Sequence, residues 1–151
     1  MSFRNSRFRR ALTGLAFTAV AAFAIGCSDS SGPNGDVYAL FSIDGTTLPI
    51  NETFSDGVAS LKSGSVTLNG NGTYAVRFVE TWDPTAGPVE TTVYGENGTY
   101  ELEGEVLTFT PTHDFEDGEL FEVEFPETAT ATKTDTQITA EVDGFVYVFK
   151  K

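Results

Sequence analysis

From Val37 onward, apolar and polar residues alternate with a period of two, and turn-forming residues recur every eight to twelve positions. That rhythm predicts consecutive antiparallel strands, packed as a barrel or a sandwich. The strands expected are 37–43, 58–68, 73–82, 89–94, 100–103, 106–110, 137–142 and 145–149, with extended segments at 48–54 and 120–130 interrupted by Pro49 and Pro126. A proline cannot donate to a strand ladder, so those two segments belong at an edge or a crossing. Asp44-Gly45, Asn69-Gly70-Asn71-Gly72, Asn97-Gly98 and Asp143-Gly144 tolerate the positive φ of tight hairpin turns. Residues 83–88 and 112–118 read as loops, the second strongly acidic, and the pattern allows at most one short helical turn, near 55–59.

Short turns between sequence neighbours mean a meander. Eight to ten strands joined this way leave two exposed edges unless the sheet closes on itself, so the expected fold is all-β, an antiparallel up-and-down barrel over residues 37–151. An immunoglobulin-like sandwich is the other candidate; its long crossovers fit the short turns less well.

The first 26 residues follow a different pattern. Arg4, Arg7, Arg9 and Arg10 precede an uncharged run over 11–25. Such a run makes a helix of about 22 Å, short of the roughly 30 Å hydrocarbon core. A basic start and a short apolar stretch ending in small residues describe an export signal. The stretch closes on Ala24-Ile25-Gly26-Cys27, which holds the only cysteine. This resembles the lipobox of bacterial lipoproteins. The resemblance implies removal of residues 1–26 and a covalent lipid (palmitate among its chains) on Cys27, which would be the sole non-protein group. It also implies anchoring in the cell envelope, at the outer membrane given Ser28 after the cysteine. Plain secretion after Ala22-Phe23-Ala24 is the competing reading, and Arg9-Arg10-Ala11-Leu12 faintly echoes a twin-arginine signal. Residues 27–36 then form a Gly/Ser-rich tether, whose nine residues after the cysteine span about 15–18 Å on average.

Removal of the signal takes four arginines with it. Lys62, Arg77, Lys133, Lys150 and Lys151 then stand against all 22 acids, five positive charges against 22 negative, or −17. This disfavours nucleic acid and anionic surfaces and suits basic partners or divalent cations. With Cys27 carrying lipid, no disulfide forms and stability rests on packing.

A second resemblance covers most of 37–151. Val37-Tyr38-Ala39-Leu40, Asp44-Gly45 with Leu48-Pro49, Val66-Thr67-Leu68-Asn69 before Gly72-Thr73-Tyr74, Gly98-Thr99-Tyr100 and a closing Tyr147-Val148-Phe149-Lys150 occur in order. Together they resemble the small lipocalin-like domains of bacterial lipoproteins.

Candidate chemistry is sparse. His113 is the only histidine, no Gly-x-Ser-x-Gly elbow occurs, and no free thiol remains, so an enzyme is not expected. Oxygen ligands for calcium are conceivable at Asp114, Glu116, Asp117 and Glu119, in a spacing unlike an EF-hand; a solvated loop is the plainer reading. The aromatic set Tyr74, Phe78, Trp82, Tyr100 and Phe109 should face one interior. A small barrel either fills that space or holds one ligand, so the expected role is non-catalytic. The domain would bind a small hydrophobic molecule, or act as a filled interaction or adhesion module of the envelope.

Overall fold

The computed structural model describes residues 35–151; the export signal, Cys27 and most of the tether lie outside them. Eleven strands follow in chain order: β1 (Asp36–Ile43), β2 (Thr46–Thr47), β3 (Ile50–Phe54), β4 (Gly57–Leu68), β5 (Thr73–Pro84), β6 (Glu90–Glu103), β7 (Val106–Glu116), β8 (Glu119–Glu122), β9 (Ala129–Lys133), β10 (Gln137–Val142) and β11 (Phe145–Lys150). Every pairing is antiparallel, and the sheet order is β2-β1-β11-β10-β9-β7-β6-β5-β4-β3, with β8 on β7 and a further β1–β4 pairing. That last pairing joins β1, β4, β5, β6, β7, β9, β10 and β11 into a closed eight-stranded barrel of the lipocalin-like up-and-down kind. The sandwich is not the architecture adopted.

Two short seams complete the closure. Asp36–Ala39 of β1 lies against Ser65–Leu68 of β4, and Val106–Phe109 of β7 against Ala129–Thr132 of β9. Both seams are at the end of the barrel where the chain enters at Asp36 and leaves at Lys151, whose ammonium meets the Asp36 carboxylate at 2.7 Å. Toward the other end the walls part. There β1 takes up β2, β4 takes up β3, and β7 takes up β8.

The core follows the alternation. Tyr38, Leu40, Leu61, Val66, Leu68, Tyr74, Phe78, Tyr94, Leu107, Phe109, Ile138, Tyr147 and Phe149 are all buried in one cluster. Parity along β4 switches from Leu61 to Val66 and Leu68 because a bulge falls between Leu61 and Ser63, where two residues face one on β5. A similar irregularity between Leu40 and Ser42 lets Leu40 and Ile43 both face inward. Across the β4–β5 pairing, Gly64 stands opposite Phe78. A Cβ on Gly64 would stand 2.9 Å from the Phe78 ring and 3.0 Å from Leu40, so only glycine leaves that ring room.

Three Asp-Gly turns have positive φ at both residues, 48° and 77° at Asp44-Gly45, 50° and 92° at Asp117-Gly118, and 52° and 81° at Asp143-Gly144. These are the backbone values of the hairpin turn expected from such pairs.

Two local expectations are corrected. Asn97-Gly98 is not a turn: β6 runs unbroken through it, and Gly98 sits at a bulge facing inward, where a Cβ would lie 2.1 Å from the Thr110 carbonyl oxygen and 2.7 Å from the Tyr74 ring. Glycine is needed there for close approach, not for positive φ. Residues 112–118 are not a loop: β7 continues to Glu116 and turns only at Asp117-Gly118 into β8. Residues 55–56 simply turn the chain into β4, which begins at Gly57.

Candidate functional site

Of the five aromatic residues expected to line one interior, three come together. Tyr74 and Phe109 tilt against each other at 4.7 Å between ring centroids, and Phe78 stacks on Tyr94 at 5.6 Å and meets the edge of Tyr147 at 6.4 Å. All five of these rings are buried. Tyr100 is half-buried toward the seamed end, where its hydroxyl donates to the Asn69 carbonyl at 2.9 Å and pins the β4–β5 turn. Trp82 stands apart. It lies on the inward parity of β5 but at the parted end, tilted against Phe54 at 5.8 Å and covering Gly57. The middle of the barrel is thus a layer of the protein's own rings, supplied from β5, β6, β7 and β11.

Beside that layer lies a polar group that the expected strand ending at Tyr94 leaves out. Val76, Glu96 and Asp114 occupy one row across β5, β6 and β7, and Val76 packs on the core, so the row faces inward. The Tyr74 hydroxyl donates to Glu96 Oε1 at 2.7 Å. Burial raises the Glu96 carboxyl above its ordinary value, opposed by the Tyr74 hydrogen bond and reinforced by Asp114. Partial desolvation raises the more exposed Asp114, and burial raises Tyr74 well beyond the usual phenol range with help from Glu96. Tyr147 is pushed up to about 12 by burial and by Asp143 and Asp44. The signal for Glu96 was present: parity from Tyr94 to Gly98 puts it inside. Reading Asn97-Gly98 as a turn cut that strand short.

The acidic residues considered as oxygen ligands do not gather at one point. Asp114 and Glu116 follow the inward parity of β7, Asp117 sits in the turn with Oδ1 accepting the Val93 amide at 2.8 Å, and Glu119 is exposed on β8. Among the described residues, no group of three or more His, Cys, Asp or Glu is arranged to hold a metal ion. His113 is exposed on the outer parity of β7, its Nδ1 3.1 Å from the Thr112 hydroxyl. On the outer wall, Arg77, Val93, Asn97, Phe115, Asp117 and Gly118 border an open depression of about 530 Å³.

A second feature marks the seamed end. Tyr38 is fully buried, its hydroxyl makes no hydrogen bond, and the Lys151 and Lys133 ammonium groups lie 5.4 and 6.0 Å from its ring centroid. Cations at that distance from a phenol face are weakly attracted to it.

These features define a class: a closed antiparallel barrel with a cluster of its own aromatic rings inside and one partly buried acid, Glu96, beside them. Compared with known proteins, the chain matches no family model, no curated protein and no solved structure.

Proposed function

We propose that the chain is an exported envelope lipoprotein, held by lipid on Cys27, whose barrel is a filled, non-catalytic module that works through its outer surface. The observation that carries this reading is the ring layer of Tyr74, Phe78, Tyr94, Phe109 and Tyr147, which takes up the space where a small barrel would hold a ligand. The export and anchor rest on the arginines, the uncharged run and Ala24-Ile25-Gly26-Cys27. The tether keeps the seamed end, where Asp36 enters, nearest the membrane.

Carriage of a small hydrophobic molecule is the alternative, and one titration separates the two. A fluorescent fatty acid added to the full chain gives no saturable signal if the lumen is filled. Stoichiometric binding, with quenching or a shift of Trp82 emission, overturns the filled-barrel reading and favours a carrier.

A further inference from the structure

Strand β8 is built unlike the barrel walls. All four of its residues, Glu119, Leu120, Phe121 and Glu122, are exposed, with Leu120 at 63% and Phe121 at 50%. Among the described residues it pairs with β7 alone, so its other edge is open.

The hydrogen-bond phase of that edge follows from the turn. A two-residue turn at Asp117-Gly118 makes Glu116 and Glu119 a hydrogen-bonded pair, and alternation then makes Asp114–Phe121 and Thr112–Val123 the next ones. The Val123 amide does donate to the Thr112 carbonyl, at 3.0 Å. The amides and carbonyls of Leu120 and Glu122 therefore point away from β7, toward the open edge.

Charge restricts what can add there. Residues 78–132 contain fourteen acids and neither lysine nor arginine, and seven of those acids lie between Asp114 and Glu127. A second copy of β8 would set Glu119 and Glu122 against like charges, which is unfavourable for directly opposed residues. Leu120 and Glu122 share one face of the strand, and Glu119 and Phe121 the other. A strand laid alongside would meet, in order, acid, apolar, apolar, acid. Its complement is basic, apolar, apolar, basic, and the pattern reads the same in either direction.

We propose that the open edge of β8 is a docking site for an extended basic segment of a partner protein, which adds as a strand and places two apolar residues on Leu120 and Phe121 with a cation against each glutamate. Acidic residues on an edge also guard against aggregation; two adjacent, largely exposed apolar side chains do not serve that purpose. The proposal deepens the outer-surface reading, yet it fails independently of it, since the fatty-acid titration probes the lumen and the test below probes only β8.

The test uses the full chain labelled with ¹⁵N and a capped octapeptide with lysine–valine–valine–lysine at its centre, flanked by threonines. The expected result is at least tenfold slower hydrogen exchange at the Leu120 and Glu122 amides, weakened by added salt. A peptide with glutamate for lysine, and one N-methylated at alternate residues, should give no slowing. Reversing the edge with Glu119→Lys and Glu122→Lys, both surface changes, should transfer the preference to the glutamate peptide. Absence of slowing at those two amides, equal slowing by the N-methylated peptide, or a preference that ignores the reversal overturns the proposal.

Discussion

Removing the Phe78 ring is the sharpest perturbation of the interior. The side chain is 3% exposed, stacked on Tyr94, edge-on to Tyr147, and seated over Gly64. Truncating a buried phenylalanine to alanine costs about 3–5 kcal/mol, the larger values applying where neighbours cannot collapse into the void. Here collapse is obstructed. Gly64 has no side chain to move, and Tyr94 and Tyr147 are fixed in strands on opposite sides. Phe78→Ala should therefore fall near the upper end, about 4 kcal/mol, against a total of roughly 5–15 kcal/mol for a domain. With a urea slope of about 2 kcal/mol per molar, the unfolding midpoint should drop by roughly 2 M at unchanged slope. Trp82, the sole tryptophan and outside the ring layer, reports the transition alongside circular dichroism. The exposed Phe121→Ala serves as the control, with a change under about 0.5 kcal/mol. The variant should also acquire affinity for a benzene-sized apolar probe that the parent lacks. A loss below about 1 kcal/mol at Phe78, or equal losses at the two sites, would refute a packed interior.

Other outcomes follow from the same geometry. Gly98→Ala should lose about 1–3 kcal/mol or more, because its Cβ meets the Thr110 carbonyl oxygen and Pro111 Cα, backbone atoms that cannot swing aside; chemical denaturation measures it. Tyr74→Phe should lose about 1.5–3 kcal/mol by removing the hydrogen bond to Glu96, read in the same way. Because burial raises Glu96, the folded state holds that proton more tightly than the unfolded chain does. Its contribution is therefore present at acid pH and is lost as pH climbs from 4.5 through the raised value. Glu96→Gln should flatten that decline and raise the neutral-pH melting temperature, as melts across pH 4–8 would register. Cys27→Ala should move the chain from the detergent to the aqueous phase on partitioning and remove the lipid from its intact mass.

The alternation was enough for the barrel because period two and two-residue turns are properties of short stretches. The Asp-Gly pairs at 44–45 and 143–144 act locally, and both are turns. Asn97-Gly98 shows the limit. The same dipeptide suits a turn and a bulge where two backbones nearly touch, and only the Tyr74 ring across the sheet decides between them. The acidic run at 112–118 shows a related limit: its polarity suits a loop, yet a strand at the parted end of a barrel has water near both faces and is equally polar. Trp82 had the right parity and the wrong neighbours, since parity says which way a side chain points but not how far the wall extends. The Glu96–Tyr74 pair spans 22 residues of sequence, a separation that no local pattern encodes.

Closure of the sheet around its own side chains is tested most directly by cross-strand nuclear Overhauser contacts. The prediction is amide and α-proton contacts linking Asp36–Ala39 with Ser65–Leu68 and Val106–Phe109 with Ala129–Thr132, together with ring contacts from Phe78 to both Tyr94 and Tyr147. An absent β1–β4 seam, or a Phe78 ring with no contact to Tyr147, would mean an open sheet or a hollow one.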